Sequence, residues 1–261
     1  MSPAIYQIAD LSQLNQEVFG PILHIVTYQK SELSARIDEV NNKGYALTGG
    51  CHSRIRKQVD LVENRLKCGN FYVNRNIIGA VVGVQPFGGH GLSGTGPKAG
   101  GEFYLQRLTQ AKRYYSEFGQ ASHLVHQRPI VPSITGEENS LAYLPCEVAI
   151  LNGNLEQARN AADKLLSQGF SLLVEPSHPL ANIADKGIRV STELGTCQKG
   201  IYLEPLSPAQ RIWLAEHSKA IFKCVDWQQE QDTLLLFDEF SRSENTTAAG
   251  GNASLMAMEE Q

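Results

Sequence analysis

The chain has 261 residues, 42% of them hydrophobic, with 23 Lys and Arg against 27 Asp and Glu for a net charge of -4. That length suits one large domain or two ordinary ones of roughly 100–200 residues each, and the composition is that of a folded chain, not a disordered one. Basic residues are scattered among acids, so the basic stripe that a nucleic-acid partner requires is absent.

The first apolar run, Ile22 to Ile25, follows Pro21 and reads as a buried strand within residues 18–28. Ser31 is placed to cap a helix carrying Leu33, Ile37 and Val40, with Gly44 as its left-handed stop. A short strand over Tyr45–Thr48 ending at Gly49-Gly50 comes next. A helix with Ile55, Val59, Val62 and Leu66 on one face follows, then a strand over Phe71–Val73. Strand alternating with helix is the pattern of a parallel α/β sheet, because each crossover helix returns the chain to the same edge.

Residues 79–101 then break the pattern with nine glycines, Pro86 and Pro97. Glycine costs about 1 kcal/mol and proline about 3 kcal/mol per helical position, so a long loop is expected, and such loops are usually functional. Residues 104–116 read as an extended strand leaving this unit, and Pro129, Pro132 and Gly136 mark a linker. A second α/β unit follows. Its strands are expected at 148–151, 171–174, 200–203 and 234–237. Its helices are expected at 155–166, and from Ser207-Pro208 toward Ala220. Residues 241–261 read as a polar tail.

Gly89-His90-Gly91-Leu92-Ser93-Gly94 satisfies G-x-G-x-x-G, but Gly96, Pro97, Gly100 and Gly101 follow, where a dinucleotide cradle needs a helix. It is not read as a cofactor fingerprint. Leu151-Asn152-Gly153-Asn154 lacks the second and third glycines as well, so the second unit is expected to show no dinucleotide affinity. Cys68 closes an amphipathic helix and reads as a packing residue, since a nucleophile favours a helix N-terminus or a basic neighbour. Five unpaired-looking cysteines without C-x-x-C, and histidines without metal spacing, give neither a disulfide framework nor a metal site. With no signal-like segment or long apolar run, a cytoplasmic location is expected.

Four segments in register carry a resemblance: Glu17-Val18-Phe19-Gly20-Pro21, the helix near Ser31, Asn70–Asn74, and Gln85-Pro86-Phe87-Gly88-Gly89. Together they resemble the last third of the aldehyde dehydrogenase superfamily. Residues 74–101 narrow this to the L-glutamate-γ-semialdehyde dehydrogenase branch, in the long form fused to a proline dehydrogenase. The resemblance implies an aldehyde dehydrogenase C-terminal part over 1–103 and a dimerisation strand and linker over 104–135. A Rossmann-like domain over 136–240 and a C-terminal tail over 241–261 complete it. It implies that Glu17 and Phe19 bind the nicotinamide ribose of NAD, that Gly79 and Ala80 anchor the substrate carboxylate, and that Phe87 walls the aldehyde channel.

The family's catalytic cysteine, oxyanion-hole asparagine and general base all lie upstream of Glu17, so this chain holds no catalytic residue and is expected to be inert alone. FAD would belong to the proline dehydrogenase domain, also outside the chain. The expected partners are a small aldehyde, the upstream domains of the same polypeptide, and a second copy of the chain. The alternative is a non-catalytic module covering the substrate channel and dimer interface.

Overall fold

The computed structural model describes residues 2–108, 134–183, 187–195, 197–218, 221–228 and 233–247. The chain opens with a two-stranded parallel sheet, β1 (Ala4–Gln7) beside β2 (Ile22–Ile25), registered from Ala4↔Ile22 to Gln7↔Ile25. The expected strand after Pro21 exists, but it is not buried. Ile5, Tyr6, Leu23 and Ile25 are exposed, and no residue of either strand is fully buried.

Helix α1 (Leu33–Asn42) follows a 3-10 turn over Lys30–Glu32. Ser31 lies inside that turn and is not the cap. Gln29 and Glu32 form the reciprocal box, with Gln29 N donating to Glu32 Oε2 at 2.8 Å. Ile37 points into the core, while Val40 stays exposed. Arg36 binds Asp10 (3.2 Å) and Glu39 (2.9 Å), tying the N-terminal segment to α1. Gly44 ends the helix region at φ 81°, as a left-handed stop requires.

The stretch expected as one strand ending at Gly49-Gly50 is two. β3 (Tyr45–Ala46) pairs antiparallel with β6 (His90–Gly91), and β4 (Thr48–Cys51) lies parallel to β5 (Asn70–Val73). Both glycines sit inside β4, where a Cβ at Gly50 would stand 2.6 Å from the Tyr72 carbonyl oxygen. They serve close approach and do not end the strand. Helix α2 (Arg56–Arg65) makes the β4–β5 crossover and buries Val59 and Val62.

Residues 104–116 were expected as a strand, and the structure begins a helix there instead. α3 spans Glu102–Leu108 after Gly100-Gly101, anchored by Phe103, whose ring meets Tyr143 edge-on at 5.3 Å. The expected domain division at 103/104 therefore falls inside a helix. The rest of that segment, Pro129 and Pro132 lie outside the described residues.

The second unit is a five-stranded parallel sheet in the order β10-β9-β8-β11-β12. Its strands are β8 (Glu147–Ile150), β9 (Ser171–Val174), β10 (Ile188–Val190), β11 (Lys199–Tyr202) and β12 (Lys223–Asp226). The first strand lies centrally, with the next two on one side and the last two on the other, which is the doubly wound order. Helix α4 (Leu155–Ser167) packs Ala158, Ala161, Ala162 and Leu165 on Val148, Ile150 and Leu172. Helix α5 (Pro208–His217) lies with Ala149, Leu173 and Leu214 in a second cluster. Ser207 caps α5 and Pro208 opens it, as expected.

Two further strands join the halves. β13 (Asp238–Asn245) lies between β5, to which it runs parallel, and β7 (Glu137–Leu144), to which it runs antiparallel from Asp238↔Leu144 to Asn245↔Glu137. The sheet order β4-β5-β13-β7 thus places the last described strand in the middle of the first unit's sheet. This corrects two expectations. Leu234–Phe237 is not the last strand: a 3-10 turn over Thr233–Leu236 lets Leu235, Leu236 and Phe237 all be buried, where strand alternation would turn some of them outward. The expected tail from 241 starts inside β13. Among the described residues no helix is long and apolar enough to cross a membrane.

Candidate functional site

The glycine-rich loop after β5 is built on buried supports. Tyr72, inside β5, donates its hydroxyl to the Gly79 carbonyl at 2.8 Å. Burial raises the Tyr72 pKa, which keeps that hydroxyl protonated as a donor. Gln85 accepts from Val81 N (2.9 Å) and donates to Asn139 Oδ1 on β7 (3.1 Å) and to Glu137. Arg75 pairs with the same Glu137 and lies 4.9 Å above the Tyr72 ring. One face of the loop is therefore fixed to β5 and β7.

Its other face is bare. Gly79 has φ 71°, and nothing stands within 4 Å of where its Cβ would be. Among the described residues no acceptor takes the amides of Gly79 or Ala80, although Ile78 N reaches Asn76 Oδ1 (3.2 Å) and Val81 N reaches Gln85. Ile78 and Val82 flank them with 85% and 96% of their surface exposed. Two free N–H donors beside apolar side chains suit a short ligand with an anionic end.

The remaining residues singled out in the sequence stand apart. Phe87 is half-buried and forms a bridge with Ala99 through hydrogen bonds of 3.0 and 2.8 Å. Glu17 and Phe19 occupy the turn before β2. Both are exposed, Phe19 at 86%, and no hydrogen bond or ring contact joins either to residues 79–87 among the described residues. The structure thus groups Gly79 and Ala80, puts Phe87 on the returning limb of the same loop, and leaves the acidic turn separate.

Sequence reasoning missed the residues that shape the loop. Lys98 is buried, and its Nζ donates to Gly69 O (2.7 Å), Gly88 O (2.6 Å) and Asn70 Oδ1 (3.0 Å). Burial lowers its pKa to about 8, with Glu239 opposing the shift. A single lysine among glycines was the only signal for it. Gly69 must be glycine, since a Cβ there would stand 2.0 Å from the Gly88 carbonyl oxygen. Cys68 is buried beside this cluster with its thiol pushed up to about 12, chiefly by burial, so a packing role fits and a thiolate nucleophile does not. The G-x-G-x-x-G match forms β6 and a turn, with no helix directly after it. Among the described residues there is no cluster of three His, Cys, Asp or Glu able to hold a metal.

Residues 1–114 match the model of the aldehyde dehydrogenase family. Over 106 residues the chain is 58% identical to the bifunctional protein PutA of Rhizobium meliloti, covering 41% of this chain and 9% of that protein. Over 320 aligned positions it is 32% identical to the bifunctional protein PutA of Escherichia coli (strain K12), covering 99% of this chain and 24% of that protein. The chain thus spans less than a quarter of the length of these relatives. In fold it is similar to the solved structure of proline utilization A (PutA) from Corynebacterium freiburgense, with a TM-score of 0.70 at 21% identity, over 93% of this chain and 27% of that one. Residues 1–114 are therefore similar to the aldehyde dehydrogenase family, and the relatives support an aldehyde dehydrogenase portion like that of PutA.

Proposed function

We propose that the chain is part of an NAD-dependent dehydrogenase that oxidises L-glutamate-γ-semialdehyde to glutamate during proline breakdown. The carrying observation is the pair of unpaired amides at Gly79 and Ala80, held open by Tyr72 and Gln85. A backbone pair with no side chain in the way receives the substrate's α-carboxylate, and Phe87 forms an apolar wall for the aldehyde end. Glu17 accepts the hydroxyls of the nicotinamide ribose and Phe19 packs beside it, once upstream domains close over the exposed turn. NAD supplies the hydride acceptor in the assembled enzyme, and FAD serves the proline dehydrogenase part. The thiolate, its base and the oxyanion donors come from upstream, so this chain alone is inert.

The test compares aldehyde-dependent NADH formation by this chain alone and by the chain joined to its upstream aldehyde dehydrogenase segment. Turnover is expected only in the second case. Turnover by the chain alone would overturn the division of labour. A second reading, a structural module, is favoured by β13, which completes the sheet of the dehydrogenase part from the far end of the chain. The two readings are compatible, since the strand next to β13 leads directly into the anchor loop.

A further inference from the structure

The second unit carries a cavity that the dehydrogenase chemistry does not use. It measures about 320 Å³ and sits at the carboxyl end of the five-stranded sheet, against the first turns of α5. Its origin is topological. β10 and β11 lie on opposite sides of β8, yet only residues 191–198 connect them, and the described ones form no helix. Such a crossover between parallel strands ordinarily lays a helix on the sheet. Here α5 covers part of that face, and Ala149, Leu151, Leu173, Leu206 and Trp213 line the space left beside it. The volume is within the range of small-molecule pockets, about 300–1,000 Å³.

Three observations narrow the ligand. Strand order reverses at β8, and ligands of open α/β sheets sit beside that reversal at the carboxyl ends of the strands. Glu175 is the first residue past β9 and lines the cavity, about 20 residues after the turn at Gly153, where a carboxylate is placed to accept both hydroxyls of a ribose.

Two of the amides a phosphate would draw on at this turn, those of Asn154 and Gln157, are already taken. Asn154 Oδ1 accepts from Gln157 N (3.0 Å) at the start of α4, and Gln157 Oε1 accepts from Asn154 N (3.2 Å). Asn152 laces the turn after β8 to the turn after β11, accepting from Leu203 N (2.8 Å) and Glu204 N (3.1 Å) and donating to Glu204 O (2.7 Å). Leu203 Cδ1 stands 2.6 Å from where a Gly153 Cβ would be, so that turn is covered too. Glu193 adds a second carboxylate to the lining, which repels phosphate further.

We propose that this cavity binds a purine nucleoside with a free 2′,3′-diol and no phosphate, the base against Trp213 and the apolar strand ends, the ribose hydroxyls on Glu175. This site is independent of the dehydrogenase reading and stands or falls separately.

The test is a titration of the whole chain, isotope-labelled, with adenosine, 2′-deoxyadenosine, AMP and NAD⁺, following the Trp213 indole and nearby amides by NMR. Adenosine shifts those signals in the millimolar range or below. Loss of one hydroxyl in 2′-deoxyadenosine, or of the carboxylate charge in Glu175→Gln, weakens binding about tenfold, the worth of one charge-assisted hydrogen bond. AMP and NAD⁺ bind more weakly than adenosine. Ala209→Leu, an exposed position on the lining, removes binding without unfolding the chain, which circular dichroism checks. Silence with adenosine, equal affinity for the deoxy compound, shifts that persist in Ala209→Leu, or tighter binding of NAD⁺ would each overturn the proposal.

Discussion

His90 sits with Nε2 3.2 Å from the Glu239 carbonyl oxygen and Nδ1 3.5 Å from Asp238 Oδ1, where the two halves of the chain meet. Burial lowers its pKa, and Asp238 only partly offsets this. The folded state therefore holds the ring neutral, with the proton on Nε2 facing the carbonyl, while the unfolded ring titrates near 6.5. As the pH falls below about 6.5 the unfolded state takes up a proton that the folded state refuses, so stability is lost towards acid. Glu239 acts with the opposite sign, because burial raises its pKa. The comparison that isolates the histidine is wild type against His90→Gln. The variant is expected to lose less stability between pH 7 and 5.5 in urea unfolding, and parallel profiles would refute this. Arg242 is a buried cation, held by Glu63 (3.1 Å) and Glu244. Arg242→Met takes the buried guanidinium from Glu63 and leaves Glu244 with Arg56 (3.3 Å), and is expected to cost about 3 kcal/mol in the same measurement.

Among the elements, β13 has the widest reach. It lies between β5 and β7, so its amides and carbonyls serve two ladders. Ser243→Pro removes one donor from the centre of a sheet, where proline is not tolerated. Faster amide exchange is expected in β5 and β7 together, with α4 little affected. Loss confined to β13 would show that the sheet does not depend on it. The caps of α4 and α5 were legible locally, because Asn154 and Ser207 each bond within their own first turn. β13 was not legible. Apart from Phe240 its residues are polar or charged, and Ser241, Arg242, Ser243 and Glu244 are buried only because partners from Glu63, Pro86 and Asn139 reach them.

At the scale of the molecule, the first unit leaves apolar strands uncovered. Ile5, Tyr6, Leu23 and Ile25 on the β1–β2 sheet are exposed, as are Phe19, Ile78 and Val82. An open parallel pair offers unpaired edges and an apolar face, which together favour association. The chain alone is therefore expected to sediment as dimers or larger species, and joining the upstream segment should reduce this. A monodisperse monomer at micromolar concentration would contradict it.

The sequence by itself determined the α/β class, most helices, the glycine loop and the family resemblance, because those depend on periodicity, caps and short motifs read within a few residues. Only the tertiary structure decided that Lys98 pins the loop, that Gln85 and Glu137 brace it, and that the last described strand lies beside β5. Each of those depends on groups far apart in the chain, whose burial is tolerable only once their partners have arrived, and no local pattern records that.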